Sequence, residues 1–216
     1  LSFIGLGDGP ESTIINGNAS GSVFYLSHGN SNIRNSYSFS NLTITNGLSA
    51  EGGGIYLERA TLSLDNVHIL DNHLIDNGSG YEHGGGIYMS NTGASNYNLG
   101  FSMIDCVVSE NGGPAQYNGG GGIWLESVDD ITIDGCSINE NQGNTASALY
   151  VSGGSENYSI KNTEFIGNST ESGGSSVFFS DSPYGHLNME NIVIRDNFVS
   201  NYGVGIYHVA TGTFKN

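Results

Sequence analysis

Two stretches of this chain carry the side chains best suited to contact chemistry: "HLIDNGSGYEH" (73–83) and "GGPAQYNG" (112–119). Tyr81, Glu82, His83, Gln116 and Tyr117 bring phenol, carboxylate, imidazole and amide groups, which hydrogen-bond to sugars and to polar protein surfaces. Other reactive types are scattered. Arg195 stands beside Asp196 in "IVIRDN", and two carboxylates adjoin at Asp129–Asp130. His68, His73 and His83 offer imidazoles that could hold a metal, although histidines exposed on a strand and a loop account for them as well. "LDNHLIDN" and "ESVDDITID" hold carboxylate and amide oxygens of the kind that bind Ca²⁺, without a complete Ca²⁺ motif. Cys106 and Cys136 are the only thiols.

Charge removes several classes of partner. With 5 Lys+Arg against 21 Asp+Glu, the formal charge is −16. Nucleic acid and anionic membranes are bound through basic residues, so both are discarded as partners. No run approaches the roughly 20 apolar residues of a membrane helix, so membrane insertion within this segment is not expected. At 37% hydrophobic residues with regular β-branched clusters, the chain is read as folded despite its 34 glycines. Its opening "LSFIGLGDGP" lacks the basic and apolar regions of a signal peptide. It reads as one β-helix domain over 1–216 and as a segment of a longer chain, with further coils or domains as neighbours.

What must position these groups is a repeat. A glycine–small–aliphatic–aromatic element recurs around Val23, Ile55, Ile87, Ile123, Leu149, Val177 and Ile206, at steps of 32, 32, 36, 26, 28 and 29 residues. A second element alternates with it: "NLTITNG" (41–47), "NVHILDN" (66–72), "CVVSEN" (106–111), "CSINEN" (136–141), "TEFIGN" (163–168) and "IVIRDN". Both are short, alternate with period two and end in Gly or Asn, as strands do. The period is too short for a four-stranded propeller blade and shows no helical repeat. The expectation is all-β: a right-handed parallel β-helix of about seven coils, roughly 35 Å long at a rung spacing near 4.8 Å. "GGGIY" is then a corner, and the closing Asn is expected to take a left-handed conformation and to stack into a hydrogen-bonded ladder. Cys106 and Cys136 fall in the same phase, so they are expected as buried neighbours on adjacent coils. Parallel Cβ vectors favour free thiols there over a disulfide.

The alternation of Gly-Gly-x-aliphatic-aromatic with aliphatic-x-x-Asn resembles the right-handed, pectate-lyase-like β-helix superfamily. Its closest look is to surface adhesins with GGA[IVL] and FxxN repeats, such as the chlamydial polymorphic membrane proteins. "FIGN" (165–168) matches FxxN, and "ILDN", "VSEN", "INEN" and "IRDN" match it with an aliphatic first residue. The resemblance implies a secreted or cell-surface adhesin or structural segment, with a glycan or surface protein as partner and no cofactor beyond a conceivable Ca²⁺. It also admits a polysaccharide lyase or glycoside hydrolase. A lyase of that kind needs a basic residue beside a carboxylate cluster. Arg195 has Leu70, Ser109, Asn139 and Ile166 at its equivalent positions, with no such cluster. The reading therefore leans away from an enzyme, with no catalytic residue assigned. In solenoids, insertions often project from the binding face. The two lengthened stretches thus make Tyr81, Glu82, His83, Gln116 and Tyr117 the expected contact patch.

Overall fold

A computed structural model describes residues 1–27, 35–78, 82–93, 99–113, 119–153, 157–170, 176–180, 185–200, 204–208 and 211–215. The described residues form a parallel β-solenoid of about five turns. The sequence suggests about seven coils; one sheet does hold seven strands, but the first turns are built from strands of only three residues. No helix among the described residues is long and apolar enough to cross a membrane.

Each turn passes through the same faces. Face B is the seven-stranded sheet, containing Phe24–Leu26, Ile55–Glu58, Ile87–Ser90, Ile123–Glu126 and Ala146–Ser152 in spatial order. A thirteen-stranded sheet forms most of the rest, and two short sheets, one of Leu48–Ser49 with His73–Leu74 and one of Gln142–Gly143, Ser169–Thr170 and Phe198–Val199, line a third side. The two long strands of the thirteen-stranded sheet, Asn35–Thr45 and Ala60–Leu70, bend at Asn41 and Asn66, which have φ of 53° and 50°. In later turns the same bend separates two short strands at Asp105, Gly135, Asn162 and Asn191. All these pairings are parallel and nearly in register, so each inward side chain sits on its equivalent from the neighbouring turn. Columns such as Ile69–Val108–Ile138–Phe165 and Ile55–Ile87–Ile123–Leu149 are essentially fully buried. Burying each such side chain stabilises the fold by about 1.5–3 kcal/mol.

The register corrects the repeat at two copies. Phe24, not Val23, pairs with Ile55, and Phe178, not Val177, pairs with Leu149. A one-residue slip exchanges inside for outside, and here it places Tyr25 in line with Tyr56.

The closing asparagines form the expected ladder. Asn72, Asn111, Asn141 and Asn168 each donate from Nδ2 to the next Oδ1 at 3.0 Å, ending on Asn197. The closing Asn46 of the first copy takes the expected left-handed conformation at φ 57°, but in the ladder it belongs to the residue before each Asn: Asp71, Glu110, Glu140, Gly167 and Asp196, with φ of 55–67°. Freed from the turn itself, the Asn side chain points inward and saturates its hydrogen bonds along the axis.

Candidate functional site

The outward side of face B collects the chain's ordered polar chemistry. Ile55 and Leu57 point inward, so Tyr56 and Glu58 must point outward. The same alternation, turn after turn, builds an aromatic column of Tyr25, Tyr56, Tyr88, Trp124 and Tyr150. Tyr25 stacks on Tyr56 with centroids 4.5 Å apart, and Tyr56 on Tyr88 at 5.3 Å. Trp124 stacks on Tyr150 at 3.6 Å. Between Tyr88 and Trp124 the ring of His83 is interposed, 3.9 Å from the indole and 6.1 Å from the phenol.

Beside the rings runs a second column, Ser27–Glu58–Ser90–Glu126–Ser152. The ring donors are directed at its carboxylates. Tyr56 Oη donates to Glu58 Oε1 at 2.7 Å, and Ser27 Oγ donates to the other oxygen. Trp124 Nε1 donates to Glu126 Oε1 at 2.7 Å, and Tyr88 Oη to Oε2 at 3.3 Å. Burial alone would raise the Glu58 carboxyl, but bonds from Ser27 and Tyr56 and the charge of Arg59 outweigh it. Glu58 therefore ionises below the ordinary carboxylate range. Tyr56 and Tyr88 are pushed far above theirs, first by burial and then by the adjacent carboxylates.

Glu51 behaves oppositely. Its backbone bridges His83 on the next turn, and its carboxyl is pushed up by desolvation and by the charges of Glu126, Glu58 and Glu82. A carboxyl with a raised folded pKa costs stability wherever it is ionised in the fold. That penalty is complete above its folded pKa and gone below its unfolded one. Glu51→Gln is therefore expected to stabilise the protein at neutral pH by less than about 1 kcal/mol, since the group is partly solvated. The gain over wild type should fade as pH drops through the carboxylate range, which thermal melts across pH will show.

Of the expected contact patch, Tyr81, Gln116 and Tyr117 lie outside the described residues. Glu82 and His83 are described and are not displayed: they are 1% and 8% exposed. Glu82 accepts a bond from the Asn77 amide, and His83 is part of the aromatic stack. His83 thus joins the ring stack of face B, while Glu82 is buried against Asn77. The signal for the aromatic column is the period-two strand itself, which turns the aromatic of each "IY" or "IW" pair outward when the aliphatic points in.

The remaining candidates are dispersed. Arg195 pairs with Asp196 at 2.6 Å on the surface, and register places Ile166, Asn139, Ser109 and Leu70 in its column. Asp129 accepts the Leu99 amide at a corner, while Asp130 begins the strand Asp130–Asp134. His68 lies half-buried on the long strand, and His73 bonds to Asp71 at 2.8 Å. Among the described residues no group of three or more His, Cys, Asp or Glu is placed to hold a metal ion. Cys106 and Cys136 are buried neighbours and free thiols. Cys106, hydrogen-bonded to Cys136 and buried, has its thiol pushed far above the usual range, which keeps it unreactive.

These features define a parallel β-helix with an ordered aromatic–carboxylate side face, and the architecture is consistent with the β-helix superfamily. Comparison with protein-family models, with curated proteins and with solved structures finds no match for this chain.

Proposed function

We propose that this chain is a non-catalytic β-helix segment of a secreted or cell-surface protein, and that the outer side of face B is its contact surface for a glycan or a surface protein. One observation carries the reading: face B holds outward rings and carboxylates in two adjacent columns over at least four turns, already fixed by their own hydrogen bonds. A surface whose polar groups are held in place loses little freedom on binding. The adhesin-like character and the extracellular location rest on the repeat motifs and the acidic composition.

The test is a glycan array and a cell-binding assay with the 216-residue chain, wild type against Tyr25→Ala. Tyr25 is 66% exposed at the end of the stack, so its loss leaves the fold intact. Binding that weakens severalfold in the variant supports the reading. Binding indifferent to Tyr25→Ala and to Glu58→Gln overturns it. Deleting residues 74–82 is a poor test, because it removes the buried Glu82 and disturbs the neighbouring His83 of the ring stack.

A further inference from the structure

The ring column of face B is open on both its first and its last turn. Register carries it from Tyr150 through Phe179 to Tyr207. Tyr25 is 66% exposed and Tyr207 42%. The rest of the exposed apolar surface follows the same distribution. Of the eleven large hydrophobic side chains exposed among the described residues, only Ile75 and Ile104 lie away from the first turn (1–27) and the last (193–215).

Both turns also present strand edges. Among the described residues, Ser2–Ile4, Ile14–Asn16 and Phe24–Leu26 each pair on one side only, as do Val193–Arg195, Phe198–Val199, Val204–His208 and Thr211–Lys215. An open parallel edge is a template for a further strand. The register decides what that strand must bring. Ile194, Ile206 and Phe214 stand in the inward columns that begin at Ile15, Phe24 and Phe3. Val193, 45% exposed, shares a column with Ile14, 60% exposed, as Tyr207 does with Tyr25. The first turn of another copy, placed one rung beyond the last, therefore sets apolar on apolar in all five columns. A recess lined by Met189, Ile192, Ile194, Ile206, Phe214 and Lys215 opens there. The Phe3 and Phe24 rings, 5.0 Å apart, are placed to fill it. Charge agrees. The edge strands of the last turn carry Arg195 and Lys215 and no carboxylate, although Asp196 takes part of the Arg195 charge. The first 27 residues carry Asp8 and Glu11 and no basic side chain.

We propose that these two surfaces form one interface between copies of this chain: the last turn of one copy docks on the first turn of the next, and the parallel sheets continue from chain to chain. The contact joins two different surfaces and adds along the solenoid axis, so it does not close and gives an open filament. Face B then runs on across the joint, with Tyr207 beside the Tyr25 of the next copy. The joint does not rest on reading face B as a contact surface. Where both hold, repetition along the filament makes that contact multivalent.

The test is sedimentation velocity of the 216-residue chain at about 0.15 M salt, which screens the −16 charge of each copy beyond roughly 8 Å. The average mass is expected to rise through the micromolar range without a plateau. Ile14→Lys and Val193→Lys alter exposed side chains, and circular dichroism checks that each variant folds. Each places a charge against an apolar partner and should weaken assembly at least roughly tenfold. Mixed, the two variants keep one intact joint between them, so they are expected to stop at a one-to-one dimer. A wild-type chain that stays monomeric overturns the proposal. A mass that plateaus at two copies also overturns it, because that marks a self-complementary contact. So does wild-type assembly by both variants, which places the contact elsewhere. Glu126→Gln, in the middle of face B, should assemble as wild type whether or not it still binds a glycan or a cell, which keeps the joint and the contact surface apart.

Discussion

Asn141→Ala is expected to cost about 3–5 kcal/mol, read as a large drop in the urea midpoint followed by far-UV circular dichroism. Asn141 is fully buried, and its side chain serves three partners. Its Oδ1 accepts the backbone and side-chain amides of Asn111 at 3.1 and 3.0 Å. Its Nδ2 donates to Val108 O at 2.9 Å and to Asn168 Oδ1 at 3.0 Å. Alanine strips the Asn111 backbone amide and Val108 O of these bonds in the core, while Asn111 Nδ2 keeps Ile69 O and Asn168 Oδ1 keeps the backbone amide of residue 141. Each unsatisfied buried group costs about 1–3 kcal/mol. Relaxation recovers part of the sum. Asn141→Asp keeps an acceptor but loses both donors and buries a charge, so at neutral pH it should be no better than alanine. Protonation restores one donor, so it should regain stability in acid, where alanine does not. Asn191→Gly breaks an equivalent side-chain bond to Asn162 on the exposed corner, and glycine keeps the left-handed backbone that Asn191 adopts there at φ 55°. There water replaces the partner, and a cost under about 0.5 kcal/mol is expected. Similar costs at Asn141 and Asn191 would show that the buried ladder adds nothing beyond a surface hydrogen bond.

The ladder was legible in the sequence because its residue is almost invariant in the repeat: "LDN", "SEN", "NEN", "IGN" and "RDN" place Asn at one phase. So were the parallel solenoid, the Arg195 column and the stacked thiols, since all follow from counting in phase. What failed did so where phase is ambiguous. "GSVFYL" and "SSVFFS" each contain two adjacent apolar residues that fit the core position. Only pairing with the next turn decides that Phe24 goes in and Tyr25 goes out. Propensity places the left-handed residue at the closing Asn, which holds at Asn46 with φ of 57°, but in the later turns Asp71, Glu110 and Glu140 adopt it instead. The buried Asn earns its place through four hydrogen bonds, and the strain passes to the solvated neighbour. The burial of Glu82 and His83 has no local signal, because it depends on contacts of His83 with Tyr88 and Trp124, the latter a full turn further on.

The two repeated motifs also touch, which gives the triple glycines a sharper role than turning a corner. In "GGGI" at 120–123 a Cβ on Gly122 would stand 2.8 Å from Ala148 O on the next turn and 3.1 Å from Asn141 Cγ. Gly54 meets Asn72, and Gly86 meets Asn111, at the same distances within 0.2 Å of these. Each asparagine of the ladder thus occupies space left by the last glycine of a triplet, and the adjacent turn closes over both. Gly122→Ala should accordingly cost about 3 kcal/mol, because backbone on one side and a saturated side chain on the other must both move. Gly205→Ala, where the nearest atom is an Ile194 methyl at 3.5 Å, should be close to neutral. The sharper measurement is the cycle of Gly122→Ala with Asn141→Ala. Removing the amide gives the new methyl room, so the double variant should be less destabilised than the sum of the singles by about 1 kcal/mol or more. Strict additivity would mean that glycine and asparagine recur together only because both sit in the same coil. Sub-additivity would make them one packing unit, copied with every turn.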